Sequence, residues 1–108
     1  MKKLRDRTFD KAKLISIVDA FFKSHSFVGI AVRRGTWEDI VTWAFLYNDR
    51  EIGRTTIVSH PADPTVGLKE DGFTETMRPD TEKQLGLMSL MAQIFTELDE
   101  YILARGDR

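Results

Sequence analysis

An α+β domain is the fold class this sequence predicts, and three observations carry the prediction. Apolar residues recur with a helical period over residues 14–22, with a two-residue period over 27–59, and with a second, longer helical period over 87–102. A run of strands between two helices folds most simply as two layers, with both helices on one face of an antiparallel sheet. At 108 residues, 42% of them hydrophobic, the chain has the length and apolar stock for a single domain. The expected architecture is therefore an N-terminal helix, a three- or four-stranded antiparallel meander, a loop, and a long C-terminal helix beside the first.

The first helix is expected to start at Thr8, an N-cap residue type, with Asp10 placed where the helix dipole favours a negative charge, and to run through Phe22. Leu14, Ile17, Val18 and Phe21 follow i, i+3, i+4, i+7 spacing, and Ile15 and Phe22 widen the face. The basic start followed by this apolar stretch superficially imitates a secretion signal. Asp6 and Asp10 in the basic region, Asp19 in the apolar one and the lack of a small-residue cleavage site after Phe22 favour a helix of the mature protein. No apolar run reaches the roughly 20 residues that span a bilayer. A cytoplasmic protein with no membrane partner is expected.

From Phe27 the period becomes two, with Val28, Ile30 and Val32 on one side. A polar connection over residues 34–39 leads to a second strand in which Val41, Trp43, Phe45 and Tyr47 alternate with Ile40, Thr42, Ala44 and Leu46. The segment Thr36-Trp37-Glu38-Asp39 also fits a capping box opening a helix through Tyr47, but strand-forming residues dominate it. Asn48 and Asp49 supply turn chemistry before a third strand over residues 51–59. Residues 60–72, with two prolines and two glycines, read as a long loop, and residues 73–77 as a short edge strand. Thr81 and Gln84 fit a capping box for the last helix, with Asp80 as an alternative cap and Gly106 as its stop. Within it Leu87, Met91, Ile94, Leu98 and Tyr101 recur at four- and three-residue steps, flanked by Met88, Phe95 and Ile102.

Composition excludes several chemistries. Without cysteine there is no disulfide, thiolate zinc site, iron–sulfur cluster or cysteine nucleophile. The two histidines, His25 and His60, lack metal-ligand spacing, and Ser59, His60 and Asp63 form a triad only on paper, because neighbours on a strand point to opposite faces. The segment Gly67 to Gly72 lacks the lysine and hydroxyl residue of a phosphate loop, and Arg105-Gly106-Asp107 reads as a helix stop. No metal, cofactor or catalytic residue is expected. A net charge of −1 favours neither a dedicated duplex-DNA binder nor an acidic mimic of nucleic acid.

Two binding surfaces remain. The last helix carries more apolar face than a small sheet needs, and its methionines suit irregular surfaces. Met88, Met91, Phe95 and Ile102, with Lys69 and Glu70 of the 61–72 loop, are the candidate contacts of a non-enzymatic protein-binding module, a small regulator, adaptor or inhibitor of a larger protein, or of a homodimer. Residues 1–13 hold six basic and two acidic residues, and residues 80–108 three basic and six acidic, so the two helices are expected to pack antiparallel with opposite charges together. The alternative is a single-stranded nucleic-acid binder. Arg33, Arg34, Trp37, Arg50 and Arg54, near Trp43 and Tyr47, would neutralise a backbone and stack bases. An enzyme is the third and least favoured class.

Overall fold

The structure, a computed structural model, describes residues 7–24, 28–34, 39–67 and 72–106, for 28–34 the backbone alone. Its elements in chain order are β1 (Thr8–Asp10), α1 (Lys11–Lys23), β2 (Val28–Arg34), β3 (Asp39–Tyr47), β4 (Arg50–Ser59), β5 (Thr65–Gly67), β6 (Phe73–Met77), α2 (Pro79–Glu82) and α3 (Leu85–Gly106). A four-stranded antiparallel sheet in the order β2-β3-β4-β6 carries both long helices on one face, and β1 pairs with β5 as a separate two-stranded sheet. The α+β architecture expected from the periodicities is therefore the one observed.

Four local expectations are corrected. Thr8 does not open the first helix: it lies in β1 opposite Gly67, and Asp10 caps α1 by accepting the Lys13 N–H at 3.0 Å. The 60–72 segment is not all loop, because Thr65–Gly67 is the strand that receives β1. Arg34 ends β2 and Asp39 begins β3, paired with each other, so neither belongs to the connection. The Thr81–Gln84 capping box is also absent. Thr81 is buried inside the one-turn helix α2, its hydroxyl meeting no hydrogen-bond partner among the described residues. α3 starts afresh when the Met88 N–H bonds the Gln84 carbonyl at 3.0 Å.

The β3–β4 hairpin follows its sequence closely. Asn48 and Asp49 both take positive φ, 52° and 63°, as a two-residue type I′ turn requires. Tyr47 pairs with Arg50 and Leu46 with Glu51, but Phe45 pairs with Gly53, so Ile52 is an extra residue in a β-bulge. The bulge turns Ile52 fully into the core and inverts the alternation of β4, so that Gly53, Thr55 and Ile57 also point inward and Glu51 and Arg54 share the outer side.

One face of the large sheet holds the core. Phe22 of α1 stacks on Trp43 with ring centroids 5.9 Å apart and planes 6° from parallel, and leans on Phe45 at 4.7 Å. Phe95 of α3 meets Phe45 edge-on at 5.6 Å, and Phe21 meets Tyr101 at 5.3 Å, which seals the two helices together. Phe9 closes the opposite end: a Cβ on Gly106 would collide with its ring, so glycine at this place answers to packing rather than to a left-handed helix stop. α3 packs against α1. Lys11, however, engages Asp39 at 3.4 Å and the His60 carbonyl at 3.2 Å, which are not α3 acids.

Met91, Leu98 and Ile102 are fully buried and Ile94 nearly so. Truncating Met91 to alanine is expected to cost about 2–5 kcal/mol through lost contact and a residual cavity. Leu85→Ala, at a position 72% exposed, should stay within about 0.5 kcal/mol. Urea midpoints of the two variants measure the contrast, and equal midpoints would contradict the burial of α3.

Candidate interaction surface

Two of the four α3 residues expected as contacts, Met91 and Ile102, belong to the core, which corrects the expectation that they face a partner. Met91 and Ile102 are 0% exposed; Phe95 is half-buried against Phe45, and Met88 is half-buried near the start of the helix. The α1 helix and the sheet cover the Met91–Ile94–Leu98–Ile102 stripe, while Met88 and Phe95 keep partial exposure. Lys69, Glu70, Trp37 and His25 lie outside the described residues, as do the side chains of Arg33 and Arg34, placed by backbone register opposite Ile40 and Asp39.

The accessible surface lies instead on the far side of the sheet. Strand alternation that sends Trp43 and Phe45 inward sends Ile40, Thr42, Ala44 and Leu46 outward, and register places Val58, Thr56, Arg54 and Glu51 opposite them on β4. Thr74 and Thr76 of β6 continue two of these rows. Thr42 and Thr56 share a hydroxyl–hydroxyl hydrogen bond at 3.3 Å. All are half-buried except Arg54 and Thr76, which are exposed. The centre of this face is thus hydroxyl and aliphatic, without a charge among the described side chains.

Charge gathers at its hairpin end. The Glu51 Oε2 atom accepts hydrogen bonds from Arg54 Nη2 at 2.7 Å and from Arg78 Nη1 at 3.0 Å, and Arg50 faces Asp80 at 3.6 Å. Arg78 is fixed by its own backbone, whose N–H donates to the Ile52 carbonyl at 3.1 Å. A shallow groove of about 270 Å³ opens between the two guanidiniums, lined by Gly53, Arg54, Thr76, Met77, Arg78 and Pro79. A second of about 250 Å³ lies between the hairpin tip and the start of α3, lined by Tyr47, Asn48, Arg50, Gln84 and Leu87. Arg50 and Arg54 were visible in the sequence as candidates. Arg78 was not, because only the β4–β6 pairing brings it to Glu51.

Two expected sets do not assemble as binding chemistry. Trp43 lies under Phe22 in the core, so the arginines on the open face have no tryptophan of β3 beside them on which bases could stack. Ser59, His60 and Asp63 are each engaged in local structure or buried. His60 Nδ1 accepts the Ala62 N–H at 3.1 Å, Asp63 accepts from the Thr65 N–H and hydroxyl at 3.0 and 2.9 Å, and the Ser59 hydroxyl is buried. The Asp63 carboxyl is held below its ordinary value by those two Thr65 bonds. Among the described residues no three histidine or acidic side chains gather as a metal site, and no helix is long and apolar enough to cross a membrane.

Glu51 gives the site a pH signature. Partial burial pushes its carboxyl up, but the hydrogen bonds and charges of Arg54 and Arg78 outweigh this and hold it below the ordinary 4.5. A lowered folded-state value means that the pairing stabilises the fold above the unfolded-state value and is lost as pH falls through the folded one. The stability advantage of the wild type over Glu51→Gln is expected to shrink from about pH 5 to about pH 3. It should not exceed about 1 kcal/mol at neutral pH, since both arginines are half exposed. Thermal melts across that range measure it, and a difference independent of pH would show that the carboxylate is not held by the arginines.

No protein-family model, curated protein or solved structure matches this chain, so its assignment rests on its own geometry.

Proposed function

We propose that this chain is a non-enzymatic protein-binding module, a small cytoplasmic regulator or adaptor, that receives a larger protein on the open face of its four-stranded sheet. The observation that carries this reading is the one-sidedness of the sheet: both long helices pack on the Trp43–Phe45 face, and the Ile40–Thr42–Ala44 face remains accessible. Half-buried aliphatic and hydroxyl groups with charges only toward the rim match the anatomy of protein interfaces, which are depleted of charge at the centre. Burial of Met91 and Ile102 is the reason to look to the sheet rather than to the C-terminal helix and the 61–72 loop, where the sequence placed the contacts.

Size favours a transient partner over a stable homodimer. Four strands at about 4.8 Å spacing, paired over five to nine residues, present a face roughly 15–20 Å by 17–30 Å. That is on the order of 250–600 Å², below the roughly 800 Å² per partner of a standard stable interface. The lack of cysteine suits the reducing cytoplasm, and the local engagement of His60 and Asp63 favours binding over catalysis.

The variant Thr56→Arg places a cation at the centre of the face, where the native side chain makes only the Thr42 hydroxyl bond. Its expected effect is a cooperative thermal transition close to that of the wild type and a loss of about tenfold in recovery of the partner captured by the wild type. Recovery of the same partner by both proteins would remove the sheet face from the function.

A further inference from the structure

We propose that the Arg54–Arg78 groove recognises a carboxylate of the protein partner and that Glu51 is its internal occupant in the free protein, an inference that rests on the sheet-face reading and specifies its partner. Two guanidiniums, one from β4 and one from the junction between β6 and α2, converge on one oxygen of one carboxylate, at 2.7 and 3.0 Å. Each guanidinium carries five N–H donors in a planar fork, and the Glu51 bonds occupy one on each. Arg54 and Arg78 are 47% and 49% exposed, so the remaining donors are open to a ligand, whereas Glu51 beneath them is 22% exposed. Two cations sharing one anion leave the cluster a net positive charge beside a sheet-face centre that carries no charge among the described side chains.

The chemistry around the groove selects among anions. Its walls, Gly53, Met77 and Pro79 with the Thr76 hydroxyl, suit the short aliphatic stem of an aspartate or glutamate. A nucleic-acid backbone would lay a series of phosphates along the same end of the molecule. There it would meet Glu51 and Asp80, in a chain whose net charge is already −1. A single carboxylate needs only the two arginines. The fitting partner segment therefore carries one acidic residue at the groove and uncharged β-branched or small residues over Thr76, Ala44, Thr42 and Thr56, the neighbours that register places beside it.

Competition by Glu51 makes the prediction signed. Removing the arginines takes away the ligand's partners, whereas removing the Glu51 charge frees both guanidiniums for it. A phage-displayed random decapeptide library selected on the wild-type protein supplies the probe, and the enriched peptide is then titrated by fluorescence polarisation. The enriched peptides are expected to share an aspartate or glutamate at one position. Binding should weaken at least about tenfold in Arg54→Gln/Arg78→Gln, less in Arg54→Lys/Arg78→Lys, which keeps the charge without the fork, and should tighten about two- to fivefold in Glu51→Gln. Each variant is checked for a cooperative melt, and the lysine pair decides the matter if the glutamine pair does not fold.

Enrichment without an acidic residue, unchanged binding by the arginine variants, or weaker binding by Glu51→Gln would each overturn the carboxylate site. If Thr56→Arg abolishes peptide binding while the arginine variants do not, the groove inference fails and the sheet-face reading stands. If Thr56→Arg has no effect, or nothing is enriched, the sheet-face reading fails with it. Tight binding of a single-stranded oligonucleotide that requires both arginines would reassign the groove to phosphate.

Discussion

The stack of Phe22 on Trp43 is the contact on which the rest of this small fold depends. Two rings 5.9 Å apart and 6° from parallel fix where α1 crosses the sheet, and the same Phe22 leans on Phe45, which in turn receives Phe95 from α3. Aromatic pairs of this kind contribute beyond their buried area, and the 16 buried hydrophobic residues among those described offer few substitutes for them. Once α1 and α3 are committed to that face, little apolar side chain is left for the other. The open face is a consequence of the core, built from threonine, alanine and lone aliphatic groups that keep a solvated strand in place.

The charged end of that face depends on two backbone devices. The Asn48–Asp49 turn reverses the chain in two residues, and the extra residue Ile52 then shifts the register so that Glu51 lies across from Leu46 while Arg54 lies across from Ala44. Glu51 and Arg54, three positions apart, thereby reach each other along one strand. Arg78, held by its N–H on Ile52, arrives from β6. A bulge beside a binding surface commonly re-aims side chains in this way.

What was legible in the sequence followed physical period and local chemistry. Alternation at 41, 43 and 45 marked the inner face of β3, the Asn48–Asp49 pair marked the hairpin, and the steps through Met91, Ile94 and Leu98 marked the buried stripe of α3. β1 and β5 were not legible, since three residues are too few to show a period and their pairing spans most of the chain. The same limit hid Arg78. Its partner lies on another strand, and no local spacing encodes a contact made through the sheet. α3 was assigned surplus apolar face because the depth of the layer it covers, set by α1 and by the bulged Ile52, is a property of packing rather than of the helix itself.

The meeting of Phe9 with Gly106 has a kinetic side. These residues stand at nearly opposite ends of the described chain, and β1 binds β5 across roughly half of it. Closing so long a loop carries a large entropic cost before any contact rewards it, whereas the β3–β4 hairpin closes over two residues. The hairpin therefore has the lower closure cost, and on a ribosome β5 is available to β1 early, but Phe9 gains its Gly106 contact only after the final turn of α3 has been made. During that interval the side of the Phe9 ring that Gly106 covers is bare. A chain stalled short of Gly106 is expected to leave that aromatic surface open to misassociation.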